Sequence, residues 1–211
     1  MIFSQDITGL VLAGGRGSRM GGVDKGLQAF NGQPLALHAL QRLQAQVGTC
    51  MLNANRHLDI YQRFGVPVHA DVVPDYAGPL AGFLTGLTHC RTPWLLTVPC
   101  DSPCFPQDLA QRMVAVAEQD SAHIVLAAGP ETGRDGTSAV RPQPVFALLH
   151  HSLLASLQSF VEQGGSKIDA WTQQHAQALC RFDQPNDDAQ AFTNANTLQE
   201  LHTLQGQTHA D

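Results

Sequence analysis

The sequence predicts an α/β fold, a doubly wound and mostly parallel sheet with helices on both faces. Three observations predict it. Apolar runs of strand length alternate with segments of helical period. A glycine-dense loop follows the first of those runs, at the place where open α/β sheets bind ligands. The chain of 211 residues is also long enough for one large core that needs neither disulfides nor a structural metal.

The elements follow in order. The first strand runs from Ile7 to Leu12 and closes on Ala13, Gly14 and Gly15. Behind an opening Pro34, the residues Ala36, Leu40, Leu43 and Val47 recur at helical spacing, which places all four on one face of a crossover helix. Strands are expected over 50–52 and 66–69. Gly78-Pro79-Leu80-Ala81-Gly82 precedes Phe83, Leu84 and Leu87, the pattern of a turn feeding a helix with Pro79 at its first position. A strand over 94–98 leads to Asp101, and Leu109, Met113 and Val116 repeat the helical stripe behind Pro106. Strands over 124–128 and 145–149 follow. Thr197 and Glu200 form a T-x-x-E capping box before Leu198, Leu201 and Leu204, which predicts a last helix. One domain over 1–205 and a frayed tail over 206–211 are expected.

Composition excludes several classes. Eighteen acidic against twelve basic residues leave a net charge of −6, which argues against a protein that grips nucleic acid through its phosphates. No apolar run approaches the ~18 residues of a membrane span, and the first residues lack a secretory pattern. The five cysteines stand at 50, 90, 100, 104 and 180, an odd number at irregular spacing that makes no disulfide framework. A reducing, cytoplasmic setting fits them. Cys100 and Cys104 read as small buried thiols, because no second pair follows to complete a metal site. The histidines show no HExxH pattern, and His150 and His151 read as solvated neighbours at a helix start.

The richest stretch is 12–26, Leu-Ala-Gly-Gly-Arg-Gly-Ser-Arg-Met-Gly-Gly-Val-Asp-Lys-Gly. Glycines let successive amides converge on phosphate oxygens, and Arg16, Arg19 and Lys25 outnumber the lone Asp24 in a chain with only two lysines. The loop is suited to an anion. G-x-G-x-x-G fails because Met20 stands where a glycine is needed, and G-x-x-x-x-G-K-[ST] fails because Lys25 follows Asp24 and precedes Gly26. The second strand runs into Asn53, Ala54 and Asn55 rather than the acidic residue that a dinucleotide ribose meets.

The pattern L-A-G-G-x-G-x-R-M followed by D-K-G resembles the signature of α/β nucleotidyltransferases. The longer match is to the molybdenum cofactor guanylyltransferase family. It rests on the block at 12–26, then NANRH at 53–57, YAGPLAG at 76–82, PCDSP at 99–103 and FTNANTLQEL at 192–201. These blocks fall in the family's order and span nearly the whole chain. The resemblance implies a three-layer α/β/α Rossmann-like fold, with GTP bound by the N-terminal half and molybdopterin by the C-terminal half. The implied reaction joins GMP from GTP to the terminal phosphate of molybdenum-molybdopterin and releases pyrophosphate.

The resemblance assigns Arg19, Lys25 and Asp101 to catalysis and gives Asp101 a Mg²⁺ ion. It places the nucleotide against Leu12, Ala13, Gly14, Gly15, Arg16, Lys25, Asn53, Asp71, Gly78 and Asp101. Gly82, Lys167, Asn194 and Asn196 fall to the acceptor. Arg141-Pro142-Gln143-Pro144 carries Gln143 where the family usually shows a histidine before the second proline, and Gly165-Ser166-Lys167 replaces a more basic pattern, so the departures fall on the acceptor contacts rather than the GTP contacts. The implied partners are GTP, the pterin cofactor, molybdenum-insertion proteins and acceptor molybdoenzymes, with no nucleic acid, no membrane and a monomeric chain. Two rivals stay open. A cytidylyltransferase would use the same machinery on molybdopterin or another small phosphorylated acceptor, and a non-catalytic carrier would bind the cofactor without chemistry.

Overall fold

β1 (Ile7–Leu12) shows how the chain builds its layers: Ile7 and Val11 enter one apolar cluster, and Leu10 enters another on the opposite face. Successive strand side chains point to opposite faces, so a strand covered on both sides is apolar at nearly every position. β6 (Trp94–Pro99) repeats the division, with Trp94, Leu96 and Val98 on the first face and Leu95 on the second. The computed structural model describes residues 1–14, 24–73, 78–132 and 137–195. The expected last helix and tail, together with Gly15, Arg16, Arg19 and Asn196, lie outside the described residues.

Between those two strands the chain forms a short hairpin of β2 (Ala29–Phe30) and β3 (Gln33–Pro34), then α1 (Leu35–Gln44), β4 (Thr49–Asn53), α2 (Leu58–Gln62), β5 (Val68–His69) and α3 (Pro79–His89). After β6 come α4 (Leu109–Asp120), β7 (Ile124–Thr132), β8 (Ser138–His150), α5 (Leu154–Glu162), α6 (Ile168–Thr172) and β9 (Gln177–Arg181). The main sheet has seven strands in the order β5-β4-β1-β6-β8-β7-β9. Of these only β8 runs antiparallel to its neighbours β6 and β7. Helices α1 and α4 cover the first face through Leu40, Leu43, Leu109 and Met113. On the second face lie α3, α5 and α6, through Phe83, Leu87, Leu157 and Trp171. The layers are therefore α/β/α, as the sequence predicts. No helix among the described residues is long and apolar enough to cross a membrane.

Several expectations are corrected. α1 ends at Gln44, so Val47 lies beyond the helix, although it is buried against the same cluster. The third strand is only Val68–His69, shorter than the span expected from Val66. The strand expected over 145–149 is the last part of the much longer β8. Its register with β7 passes from Leu126↔Ala147 to Ala127↔Gln143, so residues 144–146 bulge out of the ladder. Pro144 has no N–H to donate there, and a bulge is where a strand accommodates such a residue. Cys100 is buried, whereas Cys104 is half-buried. His150 is not simply solvated: its ring meets Trp94 edge-on at 4.9 Å and stacks on His123 at 5.1 Å.

Candidate functional site

The parallel ladder brings three strand ends together. Leu12 pairs with Asn53 on one side and Pro99 on the other. The ladder continues one step further on each side, with Ala13 N donating to Asn53 O at 2.8 Å and Cys100 N donating to Leu12 O at 3.1 Å. After β1 the chain moves outward to β4 and β5, then returns across β1 to β6. This is the topological switch point of the sheet, where diverging loops leave a crevice at the carboxyl ends of the strands. The glycine loop and Asp101 both leave from it.

On the β4 side, Asn53 is 2% exposed and its Nδ2 donates to His69 O at 3.1 Å and Asp71 Oδ1 at 2.8 Å. Asn55 Nδ2 donates to Asp71 Oδ2 at 2.7 Å and to Gly14 O at 3.2 Å, while Asp71 N donates to Asn55 Oδ1 at 2.8 Å. The Asp71 carboxylate thus orients both amides, and Asn55 links it to the Gly14 carbonyl. Asn53 Oδ1 faces two glycines: a Cβ at either Gly14 or Gly82 would stand 2.9 Å from it. Close approach of the loop and of α3 to Asn53 therefore requires glycine at both positions. Asn55 had no assigned role in the sequence reading, although it lies within the NANRH block.

On the β6 side, Lys25 Nζ stands 3.4 Å from Asp101 Oδ2. Lys25 opens a one-turn 3₁₀ segment, Lys25–Leu27, which Asp24 caps by accepting from Gly26 N at 3.2 Å. Tyr61 OH donates to the same Asp24 oxygen at 2.7 Å. Nothing in the sequence singled out Tyr61. Burial, followed by the hydrogen bond to Asp24, pushes its phenol up, so it remains a donor. Burial above all, reinforced by Asp101, raises the Cys100 thiol, which disfavours the thiolate that a nucleophile needs.

The distal half reaches the same crevice. Ala195 N donates to Asp101 O at 2.7 Å, and Ser102 Oγ donates to Asn194 Oδ1 at 2.5 Å. Asn194 is thereby placed beside Asp101, through a serine that sequence reasoning passed over. Gly78 caps α3 with φ 140° and Pro79 at the first helical position, as expected. It faces the Ser166 carbonyl, 3.9 Å from where its Cβ would be, so exposed Lys167 lies on the same rim. Leu12, Ala13, Gly14, Lys25, Asn53, Asp71, Gly82 and Asp101 surround the switch point, with Gly78, Lys167 and Asn194 at its margin.

The site combines a cation, a carboxylate and a polar pocket of amides, a donor set suited to a nucleotide and its phosphates. Among the described residues no group of three or more histidine, cysteine, aspartate or glutamate side chains could hold a metal ion. A lone carboxylate fits Mg²⁺, which keeps its waters and completes its shell with substrate phosphates.

Residues 9–179 match the model of the MobA-like NTP transferase domain. A molybdenum cofactor guanylyltransferase from Acidovorax ebreus is 65% identical, over 99% of this chain and 100% of the relative. The one from Bordetella pertussis is 53% identical, over 97% of this chain and 100% of the relative. Among solved structures, a molybdopterin-guanine dinucleotide biosynthesis protein A from Archaeoglobus fulgidus superposes with a TM-score of 0.75 at 17% identity, covering 97% of this chain and 100% of that one. A 4-diphosphocytidyl-2C-methyl-D-erythritol synthase from Anaerococcus prevotii gives 0.72 at 10% identity, covering 98% and 97% of the two chains, a likeness of fold alone.

Proposed function

Because the chain belongs to the molybdenum cofactor guanylyltransferases, built on the MobA-like NTP transferase domain, we propose that it transfers GMP from GTP to molybdenum-molybdopterin. A terminal phosphate oxygen of the pterin forms the new bond to the α-phosphorus of GTP, and the bond from that phosphorus to the β-phosphate oxygen breaks as pyrophosphate leaves. The attacking oxygen is already ionised at neutral pH, so no general base is needed. What the protein must supply is position and positive charge.

The observation that carries this reading is the Lys25–Asp101 pair at the switch point. In the free chain each charge compensates the other; with substrate bound, Lys25 turns to the triphosphate as a point charge, and Asp101 would hold Mg²⁺. When bound, that ion neutralises the developing charge on the phosphates. Arg16 and Arg19 add guanidinium forks to the same anion. The Asn53 amide and the Asp71 carboxylate serve the base together: Asn53 holds Asp71 by donating to it, and the remaining lone pairs of the carboxylate accept from the N–H groups of the base edge. Leu12, Ala13, Gly14 and Gly15 line the nucleoside, and Gly78 leaves room for the triphosphate. Gly82, Lys167, Asn194 and Asn196 receive the acceptor, and Ser102 holds Asn194 close to Asp101.

We further propose a single domain over 1–205, acting as a monomer in the cytoplasm, where five free thiols persist. It takes its pterin from molybdenum-insertion proteins and passes the dinucleotide to molybdoenzymes. The test is a panel of nucleoside triphosphates with Mg²⁺ and purified molybdenum-molybdopterin, scored by product mass. The GMP adduct with equimolar pyrophosphate is expected with GTP; turnover with CTP and none with GTP would assign the chain to cytidylyl transfer instead.

A further inference from the structure

We infer that Tyr61 is a positioning residue for guanylyl transfer: through Asp24 it fixes the Lys25 segment against Asp101. The inference rests on the role proposed for Lys25. Tyr61 is fully buried, and its OH donates to Asp24 Oδ1 at 2.7 Å. Asp24 is 8% exposed, and the same oxygen accepts from Gly26 N at 3.2 Å. One carboxylate oxygen therefore binds α2 to the short turn that carries Lys25. A buried carboxylate without such donors would be strongly disfavoured, so the pair specifies one geometry.

Packing makes the arrangement tight. A Cβ at Gly26 would overlap the Tyr61 hydroxyl and would also stand 3.3 Å from Cβ of Ala13 and Ala36. The phenol thus fills the space that a side chain at position 26 would occupy. Its ring is held edge-on by Phe64 at 5.6 Å. Tyr61 also follows closely on Asn53 and Asn55, separated from them by the left-handed turn at His57 with φ 50°. One short helix therefore connects the amides facing the base to the turn facing the phosphates. This connection gives Tyr61 a reason to be tyrosine rather than phenylalanine: the ring serves the core, and the hydroxyl serves the loop.

Tyr61→Phe removes one oxygen and keeps the packing. The rate and GTP affinity of Tyr61→Phe, Lys25→Ala and the double variant form a cycle, with melting temperatures measured alongside. If Tyr61 acts through Lys25, Tyr61→Phe weakens GTP·Mg²⁺ binding roughly tenfold in the native background, the scale of one hydrogen bond to a charged group. It lowers kcat further than it raises KM, and in the Lys25→Ala background it changes affinity by less than about twofold. Equal losses in both backgrounds would mean general loosening and overturn the proposal. A second measurement needs no substrate: amide exchange at Gly26 should accelerate in Tyr61→Phe, and unchanged exchange overturns the anchor. A native chain that transfers no guanylyl group overturns the functional reading instead, while the exchange experiment still decides the Tyr61–Asp24 link.

Discussion

Lys25 Nζ and Asp101 Oδ2 lie 3.4 Å apart across 76 residues of sequence, and each side chain is no more than a quarter exposed. Two segments that share no local contact are brought together because β1 and β6 are adjacent parallel strands whose following loops open on the same side. The relationship belongs to the fold, and the chemistry is built on it.

Asp101→Asn keeps the shape of the carboxylate and removes its charge. Guanylyl transfer should fall about 100-fold or more, on the scale of losing one preorganised electrostatic group. Stability should change by no more than about 1 kcal/mol, since the pair is partly solvated. Pyrophosphate release at rising Mg²⁺ checks the first expectation and a denaturant melt the second. A variant with native rate at low Mg²⁺ would remove Asp101 from the metal.

Gly82→Ala tests the close approach of α3. The added methyl overlaps Leu12 Cδ2 and stands 2.9 Å from Asn53 Oδ1. Leu12 can rotate away, but Asn53 is held by donations to His69 O and Asp71. The strain falls on Asn53, the amide proposed to serve the base, so GTP affinity should drop about tenfold, while overpacking costs about 1–3 kcal/mol of stability. Calorimetric titration with GTP and a thermal melt separate the two effects.

Stability should decline on mild acidification. His69 and His89 stack with ring centroids 3.7 Å apart. Burial first, then the neighbouring His89, holds the His69 imidazole below its ordinary range, and burial does the same to His150 and His175. A depressed histidine pKa means that the unfolded chain binds more protons, so stability is full above the unfolded value near 6.5 and is lost as pH falls below it. The Asp183 and Asp187 carboxylates, held low chiefly by hydrogen bonds from Arg181 and Arg112, contribute only in far more acidic solution. The melting temperature should fall between about pH 7 and pH 5. His89→Gln, which removes one charge from the stack, should flatten the decline; an unchanged slope would exclude the stack as a cause.

The doubly wound plan was legible because buried parallel strands such as β1 and β6 are apolar throughout, a pattern that local sequence carries without help. β9 was missed because its inward residues are Ala178 and Cys180, too small to stand out, with polar or exposed residues between them. β8 was read only in part because Pro142 and Pro144 argue against a strand, and the bulge that admits them is decided by pairing with β7. In the site, Asp71 and Asn55 become informative only when β4 and β5 lie side by side. Tyr61 has no local signal, because a buried aromatic residue in a helix looks the same whether or not its hydroxyl meets a carboxylate 37 positions earlier. Short-range pattern shows which residues are inside, and partners across the sheet show what they do there.

The outermost strands bear on solubility at high concentration. β5 contributes only two residues at one margin of the sheet, while β9 at the other presents Gln177, Leu179 and Arg181 to solvent. A margin that short gives a second molecule almost no backbone to zip onto, and on the opposite margin Arg181 is paired with Asp183, an arrangement that keeps the end of that strand in water. The β5 boundary of the sheet therefore discourages fibrous self-assembly.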